Sequence, residues 1–245
     1  MDNLDKLGNG LASAKDSAES MEKVEVKKRL DLKSIIQLVY PANRSFSKKY
    51  KKTQTVGHHT VSGKGVMGDL AHWLKAKFNM GTPVIFPREG PINQLFSTSR
   101  WAYHLGVQSW VYKKLGIPYN RRDMESIGYE IDSYGGLKWN KSKERWENVY
   151  GGHVATEDVI EYPKGFRGYY AFERYTPNQV ELVRQFLVYC NEVYGIPMDY
   201  KPEMWEVSAA ALSGEAGNWS HTSFRYDKSD MHPQPELIEM FKGLA

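Results

Sequence analysis

Between residues 53 and 131 short strand-like runs alternate with a helical one, and this alternation restricts the fold more than any other feature of the chain. Residues 53–60 read as a strand ending in His58-His59. Residues 67–78 (MGDLAHWLKAKF) set Leu70, Trp73, Leu74 and Phe78 on one helical face. Residues 83–86 and 92–96 flank the turn signal Arg88-Glu89-Gly90-Pro91, which predicts a hairpin. Residues 126–131 (SIGYEI) form another short strand. Further on, Thr176 at a cap, Pro177 in the first turn and Gly195 as a stop predict a long helix through Tyr194, and residues 235–244 predict a closing helix. The expected class is α/β: a single mixed central β-sheet flanked by helices.

The rest of the chain divides by composition. Residues 1–31 are small, charged and poor in aromatics, which predicts a mobile or loosely helical arm ahead of a domain over 32–245. A polar, aromatic insertion at about 134–173 reads as extra strands or a long loop. Lys48, Lys49, Lys51 and Lys52 around Tyr50 read as a solvated surface run, with contact to an anionic polymer as the alternative. The single cysteine, Cys190, excludes an internal disulfide and a Cys-rich zinc knuckle, and its helical setting predicts a small buried apolar residue. Sixteen Tyr and seven Trp suit either a surface that meets carbohydrate or a Tyr-rich core. A net charge of +4 gives mild attraction to polyanions without choosing among them. Residues 1–20 hold no apolar run of a signal peptide, and no stretch approaches the ~20 apolar residues of a membrane span. Synthesis in the cytoplasm without a signal peptide is therefore expected.

Seven histidines are present, and a lone histidine is usually structural or exposed, so each needs company before it means chemistry. Two places supply company: His58-His59-Thr60 at a strand end, and His221 followed by Lys228 and Asp230. Two imidazoles and a carboxylate make a three-ligand zinc site with one open position, the catalytic rather than the structural arrangement. Such a metal lowers the pKa of water and polarises a carbonyl, and Lys228 is suitably spaced to stabilise an oxyanion.

Five stretches, in order, resemble the type 2 N-acetylmuramoyl-L-alanine amidases, a group that includes bacteriophage lysins, wall-recycling amidases and the peptidoglycan recognition proteins. They are Val56-Gly-His-His-Thr60; residues 84–90 with Asn93-Gln-Leu-Phe96 and Trp101-Ala-Tyr-His-Leu-Gly106; Ser126-Ile-Gly-Tyr-Glu130; Tyr175-Thr-Pro-Asn-Gln179; and His221 with Lys228-Ser-Asp230. The resemblance covers roughly residues 53–240. It implies an amidase or recognition-protein-like fold and zinc held by His58, His221 and Asp230, with His59 as the alternative first ligand because a one-residue shift turns a strand side chain to the other face. It implies Glu130 as general base, Lys228 as transition-state stabiliser, and His104 and Trp101 as substrate-binding residues. The implied partner is peptidoglycan or its muropeptide fragments, with no nucleic acid and no transmembrane segment. The implied reaction is hydrolysis of the bond between N-acetylmuramic acid and L-alanine; the positive balance and the long insertion point to a phage lytic enzyme acting on the cell wall, with a virion-borne wall-cutting protein and a recycling enzyme as the alternatives.

The chain departs from that pattern in places. Thr82-Pro83 stands where many members carry Tyr-His, which shifts weight onto Glu130. Asp230-Met231-His232-Pro233 replaces the usual Asp-Pro-Gly and makes His232 a further candidate ligand. Trp139, Trp146, Tyr169 and Tyr170 of the insertion would either stack on sugars or simply pack. Two other functions fit the same residues: a non-catalytic peptidoglycan-binding module, and a zinc peptidase cutting within the stem peptide.

Overall fold

The computed structural model describes residues 35–62 and 65–244. The expected arm over 1–31 and its boundary with the domain lie outside the described residues. Six strands form the central sheet: β1 (Ile35–Gln37), β2 (Gln54–His59), β3 (Val84–Phe86), β4 (Ile92–Gln94), β5 (Ser126–Ile131) and, from far along the chain, β11 (Gly217–Ser220). Their order is β1-β4-β3-β5-β2-β11. The β3–β5, β5–β2 and β2–β11 pairs are parallel, whereas β3–β4 is the antiparallel hairpin expected around Gly90. The sheet is therefore mixed.

Helices cover both faces because the strands alternate their side chains. On β3, Ile85 packs with Leu70 and Trp73 of α1 (Gly65–Lys75), while Val84 and Phe86 join Val183, Phe186 and Leu187 of α3 (Pro177–Tyr194). The central strands β2 and β5 are buried at every position. Helix α3 starts as its sequence predicts: Thr176 and Gln179 form a reciprocal capping box, Pro177 occupies the first turn, and Gly195 closes the helix at a φ of 69°. Helix α2 (Ser109–Leu115), α4 (Ala209–Ser213) and α5 (Pro235–Lys242) complete the layers. Cys190 is buried and free, in keeping with its helical context.

Two local expectations change. Helix α1 runs over Gly65–Lys75 and not to residue 78, because the Arg44 guanidinium takes the carbonyls of Leu74 and Ala76 at 2.6 and 2.7 Å and ends the helix there. Phe78 is consequently exposed, with its ring edge-on to Tyr103. Lys52 is buried and not part of a solvated run: its ammonium donates to the carbonyls of Met124 and Ser126 at 2.9 and 3.0 Å. Burial lowers its pKa to about 8 against the pull of Asp123 and Glu125.

The insertion, open between strands and loop from its sequence, builds a second, antiparallel sheet. Strands β6 (Gly136–Asn140), β7 (Arg145–Glu147), β8 (His153–Val154), β9 (Val159–Phe166) and β10 (Tyr169–Glu173) lie in the order β8-β7-β6-β10-β9. Leu137, Val154, Val159 and Ala171 give it a small core of its own. Trp139 packs edge-on against Trp146 at 5.3 Å, while Tyr170 stays exposed.

Candidate metal centre

Parallel pairing aligns His58 of β2 with Glu130 of β5, and register partners in a parallel ladder point to the same face. One strand over, β11 ends at Ser220, which is paired with Gly57, so His221 leaves the sheet beside His58. The loop that follows brings Asp230 back. The three side chains converge: His58 Nδ1 to His221 Nδ1 is 2.9 Å, His221 Nδ1 to Asp230 Oδ2 is 2.8 Å, and His58 Nδ1 to Asp230 Oδ2 is 3.2 Å. All three are buried, and among the described residues they form the one group of three such donors within 4.8 Å of one another.

Hydrogen bonds behind the cluster assign its protons. Ser126 Oγ donates to the Arg122 carbonyl at 2.8 Å and so accepts from His104 Nε2 at 2.9 Å. His104 Nδ1 then accepts from His58 Nε2 at 3.0 Å, which leaves Nδ1 of His58 as a bare lone pair. On the other side His221 Nε2 donates to the Leu105 carbonyl at 2.8 Å, leaving its Nδ1 bare as well. Two lone pairs and a carboxylate oxygen thus face one another at contact distance, an arrangement that repels itself unless a cation lies between them. Tetrahedral zinc with bonds of ~2.0–2.1 Å sets its donors about 3.3 Å apart, a few tenths of an ångström wider than these separations. The donor set fits zinc.

Electrostatics agree with that protonation. Burial, reinforced by His221, lowers His58 to about 4 despite the bond to Asp230. His104 is held well below its ordinary value by burial and by His58. Glu130 moves the other way: burial, then Asp230 and Asp69, push its carboxyl well above normal, with Lys228 opposing. Its Oε2 is buried and has no hydrogen-bond partner. Lys228 is half-buried, and its charge also acts on His58 and His59.

The remaining sequence candidates fall elsewhere. His59 points to the opposite face, where Nδ1 meets Tyr175 Oη at 3.0 Å. Both nitrogens of His232 are committed, Nδ1 to Tyr162 Oη at 2.8 Å and Nε2 to the Glu173 carbonyl at 3.1 Å, and its ring is stacked between Phe172 and Tyr175. His104 lies against the cluster as an orienting neighbour. Gly128 makes room for it, since a Cβ there would lie 2.9 Å from His104 Nδ1. Trp101 is buried in an aromatic group, stacked on Phe46 at 4.1 Å and edge-on to Tyr50 and Tyr103. Sequence reasoning passed over Asp69, whose place on the buried face of α1 beside Leu70 and Trp73 was the available signal.

No protein-family model matches the chain, and no curated protein does. Among solved structures it is similar to a selenomethionine AmpD derivative, at 13% identity over 89% of this chain and 97% of that one, with a TM-score of 0.48. It is similar to PlyL at 14% identity, over 85% of this chain and 96% of that one, with a TM-score of 0.46. A third is the N-acetylmuramyl-L-alanine amidase AmiD from E. coli in complex with the substrate anhydro-N-acetylmuramic acid-L-Ala-D-gamma-Glu-L-Lys, at 16% identity and a TM-score of 0.39. That match covers 62% of this chain and only 47% of AmiD. With every one of these scores below 0.5, the chemistry of the site rests on this chain's own residues.

Proposed function

We propose that this protein is a zinc-dependent N-acetylmuramoyl-L-alanine amidase. The observation that carries the proposal is the meeting of two bare imidazole lone pairs and the Asp230 carboxylate beside a buried, unpartnered carboxyl oxygen of Glu130. His58, His221 and Asp230 would hold the metal. Zinc bound there supplies a Lewis acid that polarises the amide carbonyl and lowers the pKa of the attacking water. Glu130 takes the proton of that water and delivers it to the amide nitrogen as the C–N bond breaks, leaving a carboxylate on the sugar's lactyl group and an amine on L-alanine. Burial, then Asp230 and Asp69, raise its pKa well above the ordinary carboxyl range, which suits a group that must take up a proton and return it. Lys228 places a positive charge where the oxyanion develops. His104 fixes the ring of His58 and keeps its Nδ1 bare.

The setting we assign is a phage lytic enzyme, a reading supported by the mild attraction of a +4 net charge to polyanions together with the long insertion at about 134–173. No described helix is long and apolar enough to cross a membrane. The deciding experiment is digestion of purified peptidoglycan with and without a chelator, with products identified by mass spectrometry. Chelator-sensitive release of peptides that begin with free L-alanine is the expected result. Cleavage between amino acids would mark a stem-peptide peptidase, and binding without cleavage a non-catalytic module.

A further inference from the structure

Beside Glu130 lies a half-open cavity of about 570 Å³ between α1, the loop after β2, and the insertion. The insertion supplies one wall: Tyr150 Oη donates to the Val61 carbonyl at 2.8 Å, which brings the turn carrying Asn148 and Gly152 over the cavity. Asp69 of α1 faces in from another. Its carboxylate bonds the Ser62 hydroxyl through one oxygen, while Oδ2 is buried and has no partner, although the residue is only 5% exposed. Glu130, whose Oε2 is likewise buried without a partner, lines the same cavity. Two buried carboxyl oxygens without partners beside one cavity leave hydrogen-bonding capacity that a guest bearing N–H donors would satisfy. Asp69 and Glu130 belong to no set of three convergent donors among the described residues, which argues against a second metal. Trp73, Tyr134 and Tyr150 line the walls, and aromatic faces suit a partly desolvated ammonium. His72 and Lys75 also line the cavity, but both are exposed and hydrated.

We propose that this cavity seats a primary ammonium group on the peptide half of the substrate, with Asp69 as its anchor. The identity of the peptide rests on the amidase reading above. Asp69 and Glu130 then divide the cavity: one holds the peptide's charge, and the other faces the bond that is cut. The raised pKa of Asp69, about 7 through burial first, agrees with a carboxylate that awaits a counter-ion, since an arriving cation restores its ionised form. Two ammonium groups qualify. One is the side chain of a diamino residue in the stem, and the other is the α-amine that hydrolysis releases.

The test measures calorimetric binding of the tripeptide L-Ala-D-γ-Glu-L-Lys to the zinc-loaded wild type and to Asp69→Asn. The peptide is used with both amines free, with the side-chain amine acetylated, and with the α-amine acetylated. Asparagine keeps the acceptor for Ser62, so the fold is preserved. Acetylating the recognised amine should weaken binding to wild type by on the order of 10–100-fold, the scale of a charged hydrogen bond. Asp69→Asn should weaken the free peptide equally and bind the acetylated peptide as wild type does. Whichever acetylation produces that pattern identifies the ammonium. If Asp69→Asn weakens all three peptides alike, or none, the proposal is overturned. Cleavage of purified peptidoglycan is read separately: a protein that shows the binding pattern yet releases no L-alanine-terminated peptides would refute the amidase reading and leave the ammonium site standing.

Discussion

His104 Nδ1 accepts a hydrogen bond from His58 Nε2 at 3.0 Å, and this contact decides which nitrogen of His58 faces Asp230. The bond is anchored in turn by Ser126 and the Arg122 carbonyl, so a backbone oxygen just ahead of β5 fixes a tautomer at the cluster. Replacing His104 by Phe should keep the fold yet lower zinc affinity by roughly 10–100-fold, the usual cost of losing an orienting partner. Competition with a calibrated chelator measures it. Unchanged affinity would show that His58 needs no such orientation.

The zinc assignment itself predicts about one metal ion per chain. Alanine at His58, His221 or Asp230 should strip it, as read by elemental analysis of the dialysed protein. His59→Ala should keep the metal, because that ring lies on the opposite face against Tyr175. Loss of zinc in His59→Ala alongside retention in His58→Ala would reverse the assignment.

Glu130→Gln should bind zinc normally and hydrolyse muropeptides on the order of 10²–10⁴-fold more slowly, the range for loss of a general base. Near-normal turnover in the metal-loaded variant would give the proton to another group.

Lys228→Ala should leave zinc content and melting temperature nearly unchanged while kcat falls by about 10²–10³-fold, typical of one lost oxyanion contact. Arginine at this position should recover only part, since a planar guanidinium places its charge differently from a compact ammonium. Loss of zinc in the alanine variant would instead assign Lys228 to holding the ligand loop.

Asp69 carries a pH signature. Its folded pKa of about 7 lies above the ordinary 3.8, so across that interval the native state keeps a proton that the unfolded chain releases, and stability falls as pH rises. Asp69→Asn removes that loss. The variant should melt higher than wild type at pH 8, by about 2–4 °C for each kcal/mol recovered, and the gain should vanish below pH 4. Parallel melting curves at both pH values would contradict the buried, unpaired carboxyl.

What the sequence determined by itself is local. The cap at Thr176, the stop at Gly195, the β-rich runs of β2 and β5 and the turn at Gly90 are each written within a few residues of the feature they specify, because capping, turn formation and strand periodicity act over that range. The kinds of residue at the site were legible too, since metal ligation needs imidazoles and a carboxylate. The tertiary structure decided the rest. His58 and His221 are 163 positions apart, and they meet only because β11 adds to β2 at the far edge of the sheet, a strand that its short run of Gly217-Asn-Trp-Ser220 does not announce. The choice between His58 and His59 depends on which face each helix covers. His232 is held away from the His58–His221–Asp230 cluster by Tyr162 and the Glu173 carbonyl, both from the insertion. Lys52 reads as a surface group until packing buries it, and the aromatic group around Trp101 forms only when Phe46, Tyr50 and Tyr103 come together. Asp69 looks like any helical acid until the insertion roofs its cavity. Each of these outcomes turns on sheet order and burial, which join segments far apart in the chain and leave no mark on the residues beside them.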